Sequence, residues 1–161
     1  MKFIVEQLAI CPANPEAAIK LLTEMGAAEW ARDHVVAAGD VYGEAGRNEA
    51  DLAFNYDLLR GPEFEVLHYT RGHNWMNEPS RVNSVSHIGM HCSEEELEAW
   101  RKFFADRKIP VAQEVFTESH TNPVIAGKRW YRYVIFSTKQ ILGVDCKFIV
   151  RRDSFQGDAA Q

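Results

Sequence analysis

The chain carries one two-strand pattern twice, and this duplication limits the folds open to it more than any other feature. In the first copy, Val5-Glu6-Gln7-Leu8-Ala9-Ile10 is followed by Phe64-Glu65-Val66-Leu67-His68-Tyr69. In the second, Val85-Ser86-His87-Ile88-Gly89-Met90 is followed by Val144-Asp145-Cys146-Lys147-Phe148-Ile149-Val150. Gln7 and Glu65 are 58 positions apart, as are His87 and Asp145, so the copies are offset by 80. Strand side chains alternate between faces. Gln7, Glu65, His87 and Asp145 are therefore expected on the inner side of strands whose other side is apolar.

The intervening segments repeat as well. Asn14-Pro15 opens a helix, with Asn as N-cap and Pro in the first turn. Ala18, Leu21, Leu22 and Met25 supply its apolar stripe, and Gly26 ends it. In the second copy Ser93-Glu94-Glu95-Glu96 forms a capping box, ahead of a stripe of Leu97, Trp100 and Phe104 with Phe103 alongside. Strand patterns cover 28–38, 50–58 and 63–70 in one half and 111–117, 130–137 and 142–151 in the other, separated by turn-rich stretches such as Gly43 to Asn48. Each half thus reads β-α-β-β-β.

A four-strand sheet with one helix leaves a face uncovered, and two such units bury it by curling together around a shared cavity. The expected fold is α+β: two tandem βαβββ modules with curled mixed sheets around one cavity. The first module is 1–78, a connector is 79–83, the second module is 84–153, and 154–161 is a C-terminal tail.

Composition excludes several classes of function. A net charge of −5 argues against a nucleic-acid partner, which needs a concentrated basic face. No apolar run approaches the roughly 20 residues that span a bilayer, and the N-terminus lacks the apolar segment of a secretory signal. Cys11, Cys92 and Cys146 are an odd set without paired spacing, which reads as reduced thiols in a cytoplasmic protein. Without a Walker loop, dinucleotide glycine pattern, serine elbow or Cys-x-x-Cys site, nucleotide hydrolysis, Rossmann redox chemistry and structural zinc are not first choices.

The strand Val85-Ser86-His87-Ile88-Gly89-Met90-His91 resembles the opening strand of a module in the vicinal oxygen chelate superfamily, which includes glyoxalase I, bleomycin-resistance proteins and extradiol dioxygenases. Phe64-Glu65-Val66-Leu67-His68 is similar to that family's module-ending strand, and the likeness covers residues 3–152. The resemblance implies metal ligands at Gln7, Glu65 and His87. The fourth position is open: counting by the repeat gives Asp145, whereas counting back from the apolar strand end gives Lys147. The family's Asp-Pro-x-Gly turn is absent here, and Thr138-Lys139-Gln140 stands in its place.

An amide oxygen, an imidazole and two carboxylates suit Zn, Ni, Mn, Co or Fe(II). Such an ion can hold two adjacent oxygens of a small polar substrate and stabilise an enolate, with Glu65 as the catalytic base by resemblance to glyoxalase I. The implied activity is that of a metal-dependent lyase or isomerase. One alternative is a metal-free small-molecule-binding protein of the resistance type, in which Glu65 and Lys147 neutralise each other. A third reading is an Fe(II) extradiol-type dioxygenase, with His91 as the extra imidazole. His91, Lys147, Tyr69, Arg132, Trp75 and His120 are the further candidates for substrate contact. The family often dimerises, so a homodimer is among the expected assemblies.

Overall fold

In the computed structural model the described residues are 1–27, 29–55, 61–72, 74–75, 83–119, 121, 126–127 and 129–153. Strand β1 (Gln7–Cys11) leads into helix α1 (Pro15–Glu24), followed by β2 (Trp30–Val41), β3 (Glu44–Asn55) and β4 (Glu63–Gly72). The same order returns as β5 (Ser84–His91), α2 (Glu94–Ala105), β6 (Val111–Ser119), β7 (Arg129–Phe136) and β8 (Asp145–Asp153), with a single-turn helix α3 (Lys139–Leu142) ahead of β8. The two βαβββ modules are therefore present. The expected connector, residues 79–83, lies outside the described residues apart from Asn83, and the expected tail lies wholly outside them.

The strands close into one barrel in the order β1-β4-β3-β2-β6-β7-β8-β5. Within each module the first and last strands pair in parallel, β1 with β4 and β5 with β8. Two antiparallel seams join the modules, β1 to β5 and β2 to β6. Eight strands enclose an interior just wide enough for side chains to fill or for one small ligand.

Helices α1 and α2 lie outside the barrel. The Ser93 capping box is formed with Glu96, and Leu97, Trp100 and Phe104 of α2 pack on Phe136, Phe148 and Val150 as their spacing predicts. Helix α1 has its Asn14 cap, but its buried side differs from the predicted stripe. Ile19, with Leu22, lies over Ala53 and Val66, while Leu21 and Met25 point to solvent. A helix of ten residues resting on one narrow patch buries only one short row of side chains.

The β2–β3 hairpin is also tighter than its turn-forming residues suggest. Tyr42 and Gly43, at φ 51° and 85°, make a two-residue loop with both φ positive, so each strand runs 12 residues. Asp40 Oδ1 supports the turn by accepting from the Gly43 amide at 2.8 Å. Gly39 therefore lies inside β2, where a Cβ would sit 2.1 Å from the Glu114 carbonyl oxygen across the β2–β6 seam.

Candidate functional site

Gln7, Glu65, His87 and Lys147 project into the barrel from β1, β4, β5 and β8, and each is at most 5 % exposed. His87 Nε2 lies 3.0 Å from Gln7 Oε1 and 3.2 Å from Glu65 Oε2. Lys147 Nζ donates to Gln7 Oε1 at 3.1 Å, approaches Glu65 Oε2 to 3.6 Å, and rests 4.2 Å above the centre of the Tyr133 ring. Glu65 Oε2, although it faces both His87 and Lys147, makes no hydrogen bond of good geometry.

The network assigns its own protons. Gln7 Nε2 donates to Glu63 Oε1 at 2.6 Å, which turns Gln7 Oε1 toward Lys147 and His87. Both neighbours of His87 Nε2 are acceptors, so that nitrogen carries the proton. Nδ1 then accepts from Ser86 Oγ at 3.0 Å. Gly89 makes room for the amide, since a Cβ there would stand 3.1 Å from Gln7 Oε1.

Burial pushes the His87 pKa down to about 4, reinforced by the Lys147 charge, so the imidazole is neutral. Burial would raise the Glu65 pKa, but Lys147 and His87 outweigh it and hold it at about 2, so the carboxylate is ionised. Burial raises the Glu63 pKa and, more strongly, those of Tyr69 and Tyr133.

Ladder register decides the fourth position. Ala9 pairs with Glu65 across β1–β4, and the matching Gly89 pairs with Lys147 across β5–β8. Lys147 is thus the counterpart of Glu65, while Asp145 corresponds to Glu63, the partner of Gln7. Asp145 is fully buried, and its oxygens accept from Trp75 Nε1 at 3.2 Å and from the Lys139 amide at 2.9 Å.

The substrate-contact candidates separate into two groups. Trp75 and Tyr69 line the interior with the cluster. Trp75 is 1 % exposed, its ring centre is 6.0 Å from that of His87, and it meets Tyr69 edge-on. His91 and Arg132 are elsewhere. His91 shares the inward parity of His87 but ends β5, where it is largely exposed and meets Glu6 at 3.1 Å. Arg132 has the opposite parity to Tyr133 and pairs outside the barrel with Glu94 and Glu114. His120 lies outside the described residues. Reasoning from the strand pattern misses Glu63, Ser86 and Tyr133. Glu63 shares the parity of Glu65, which is the signal that identifies it.

Whether the cluster suits a divalent ion can be tested on its donors. Ligand atoms around an ion bound at about 2.1 Å lie about 3.0–3.4 Å apart, a range that includes both His87 separations. Charge argues the other way. An ammonium already faces the two oxygens that would ligate, and a dication about 3.5 Å from it would meet repulsion on the order of 10 kcal/mol at an effective dielectric of about 20. Among the described residues no three His, Cys, Asp or Glu side chains group as a metal site. The arrangement with Lys147 in place does not fit a divalent ion.

The cavity between these groups measures about 30 Å³ and is bounded by Glu65, Tyr69, Trp75, His87, Tyr133 and Lys147. That is room for about two waters. A larger cleft of about 520 Å³ lies outside the barrel beside α1, but Arg32 is there paired with Glu16, and His34 with Asp51. Among the described residues Glu65, His87 and Lys147, each at most 5 % exposed, converge at the inner site, whereas at the cleft only Asp33 is a buried charged group.

No family model matches the chain, and no curated protein matches it significantly. Solved structures do share its fold. A hypothetical protein from Bacillus halodurans is similar at TM-score 0.55 and 9% identity, over 96% of this chain and 98% of that one. Methylmalonyl-CoA epimerase from Mycobacterium tuberculosis is similar at TM-score 0.52 and 10% identity, over 90% and 85%. A variant of the Streptomyces coelicolor methylmalonyl-CoA epimerase, in complex with 2-nitronate-propionyl-CoA, is similar at 0.50 and 12%, over 93% and 95%. With its two βαβββ modules closed around one cavity, the chain has the fold of the vicinal oxygen chelate superfamily.

Proposed function

We propose that the protein takes a small molecule with adjacent oxygens into the barrel and moves a proton on it, in lyase or isomerase chemistry of the glyoxalase type. The observation that carries this reading is the buried Glu65 carboxylate, whose Oε2 faces the His87 imidazole at 3.2 Å and the Lys147 ammonium at 3.6 Å without a hydrogen bond of good geometry. Buried ionisable clusters of this kind cost folding free energy, and they concentrate at functional sites.

In the resting arrangement Glu65 is a weak base, because Lys147 neutralises it. A carbonyl oxygen that draws the Lys147 ammonium away does two things at once. It gains a hydrogen bond that stabilises an enolate, and it raises the basicity of Glu65 toward a carbon-bound proton. The proton passes from carbon to the carboxylate and returns from it to carbon, so no outside reactant is consumed. A ligand larger than about two waters needs side chains that bound this space to move.

The test is solvent deuterium exchange at the carbon next to the ketone carbonyl of a panel of α-hydroxy ketones and 2-oxo acids, followed by NMR. Exchange above background with the native chain, lost in Glu65→Gln, is the expected result. A folded native chain that neither shifts in melting temperature nor exchanges any member would sink the enzyme reading. Saturable binding without exchange would favour the resistance-type binder, whose mark is the close approach of Glu65 and Lys147.

A further inference from the structure

We infer that the Lys147 ammonium is the resident cation of this centre, standing where the duplicated strand pattern would place the mate of Glu65, and that it makes the site independent of divalent metal. The inference deepens the reading of the cluster as the functional site, and rests on it.

A twofold repeat of β1 and β4 would present two acidic side chains to the cavity, one opposite Ala9 and one opposite Gly89. The first is Glu65 and the second is Lys147. The duplicated site is therefore symmetric in backbone and opposite in charge. Lys147 Nζ is held from three sides, by Gln7 Oε1 at 3.1 Å, Glu65 Oε2 at 3.6 Å and the Tyr133 ring at 4.2 Å. The oxygens are two of the donors that a metal ion would have used. The aromatic face offers an ammonium a favourable contact of its own.

The same placement gives the ammonium the work of a Lewis acid. It supplies positive charge to an oxygen that becomes anionic, and it lies beside the base. It differs from a metal ion in holding one charge and in donating hydrogen bonds rather than accepting lone pairs. The site should therefore prefer a substrate oxygen that can accept a hydrogen bond, and chelators should not affect it.

Metal uptake by Lys147 variants decides the matter, independently of any substrate. The native chain, incubated with Co(II) or Zn(II) and desalted, should retain less than about a tenth of an equivalent and show no cobalt ligand-field bands. Lys147→Glu restores the repeat, since a Glu at this register reaches the cavity as Glu65 does. This variant should take up close to one equivalent, and His87→Ala in the same background should abolish the uptake. If Lys147→Glu does not fold without metal, its melting temperature should rise on adding Co(II). Lys147→Met provides a second arm, which removes the cation without adding a carboxylate and should bind Co(II) more weakly. Near-stoichiometric metal in the native chain would overturn the inference and return the centre to metal-dependent chemistry. Folded Lys147→Glu and Lys147→Met chains that both refuse metal would overturn it as well. Failure of the deuterium-exchange assay would leave these metal readings unaffected, so the two proposals fail separately.

Discussion

Trp75 Nε1 donates to Asp145 Oδ2 at 3.2 Å in the interior of the barrel, fastening the turn after β4 in one module to the first residue of β8 in the other. The indole also fills space beside Tyr69 and His87. Trp75→Phe keeps most of the packing and loses the donor, which should cost about 1.5–3 kcal/mol, the usual contribution of a hydrogen bond to a charged group. Trp75→Ala removes the ring as well and should cost about 3–5 kcal/mol. Urea unfolding measures both, and equal losses in the two variants would show that the hydrogen bond and the packing had been wrongly separated.

The buried Glu65–Lys147 pair should behave as a unit. Removing either partner leaves an uncompensated charge, so Glu65→Gln or Lys147→Met alone should lose about 3–5 kcal/mol. The double variant should lose clearly less than the sum, since neither charge is then left alone. Additive losses in the cycle would mean that the two groups are not coupled.

Much of this site is legible in the amino-acid order. Gln7, Glu65 and His87 meet because parity along three strands fixes which face each occupies, and parity is a property of the sequence. The α2 stripe and the Ser93 capping box are legible for the same reason, being local patterns. Counting does not settle the fourth position, because equal spacing along the chain is not equal register across a ladder. Ala9 and Glu65 are 56 positions apart, whereas their counterparts Gly89 and Lys147 are 58 apart. A difference of two residues preserves parity, so Asp145 and Lys147 both keep the inward face and only the ladder can choose between them. Arg132 and His91 are separate cases. Arg132 lies on the outer face, and His91 has inward parity but ends β5, where it is largely exposed.

Acid should destabilise the fold in two overlapping windows. The folded-state pKa of His87 is lowered to about 4 from 6.5, so the unfolded chain takes up this proton first as pH falls through 6.5. Glu65 is lowered to about 2 from 4.5, so the unfolded chain again binds the proton first, below 4.5. The unfolded state holds more protons in both ranges, and stability therefore rises with pH. The melting temperature should fall from pH 7 to pH 4, and His87→Gln should flatten that decline. An identical slope in variant and native chain would remove His87 as its source.

Gly39→Ala should be costly although the site lies within a strand. The added methyl would press on the Glu114 carbonyl and the Val115 Cα, at 2.1 and 2.8 Å, both backbone atoms that cannot rotate away. A loss of at least about 1–3 kcal/mol is expected, while Ala38→Gly serves as a control for changes in strand propensity at a neighbouring position. Unchanged stability of Gly39→Ala by thermal melting would show that the β2–β6 seam is looser than its register implies.

Both seams of the barrel join one module to the other, β1 to β5 and β2 to β6. Each half consequently supplies the missing neighbours for the outer strands of its twin. A half made alone would present two unpaired strand edges and an apolar sheet face, the combination that drives chains to aggregate. The duplicated unit is thus viable as a pair and hazardous as a single copy, so separating the halves should yield insoluble fragments rather than two small folded proteins.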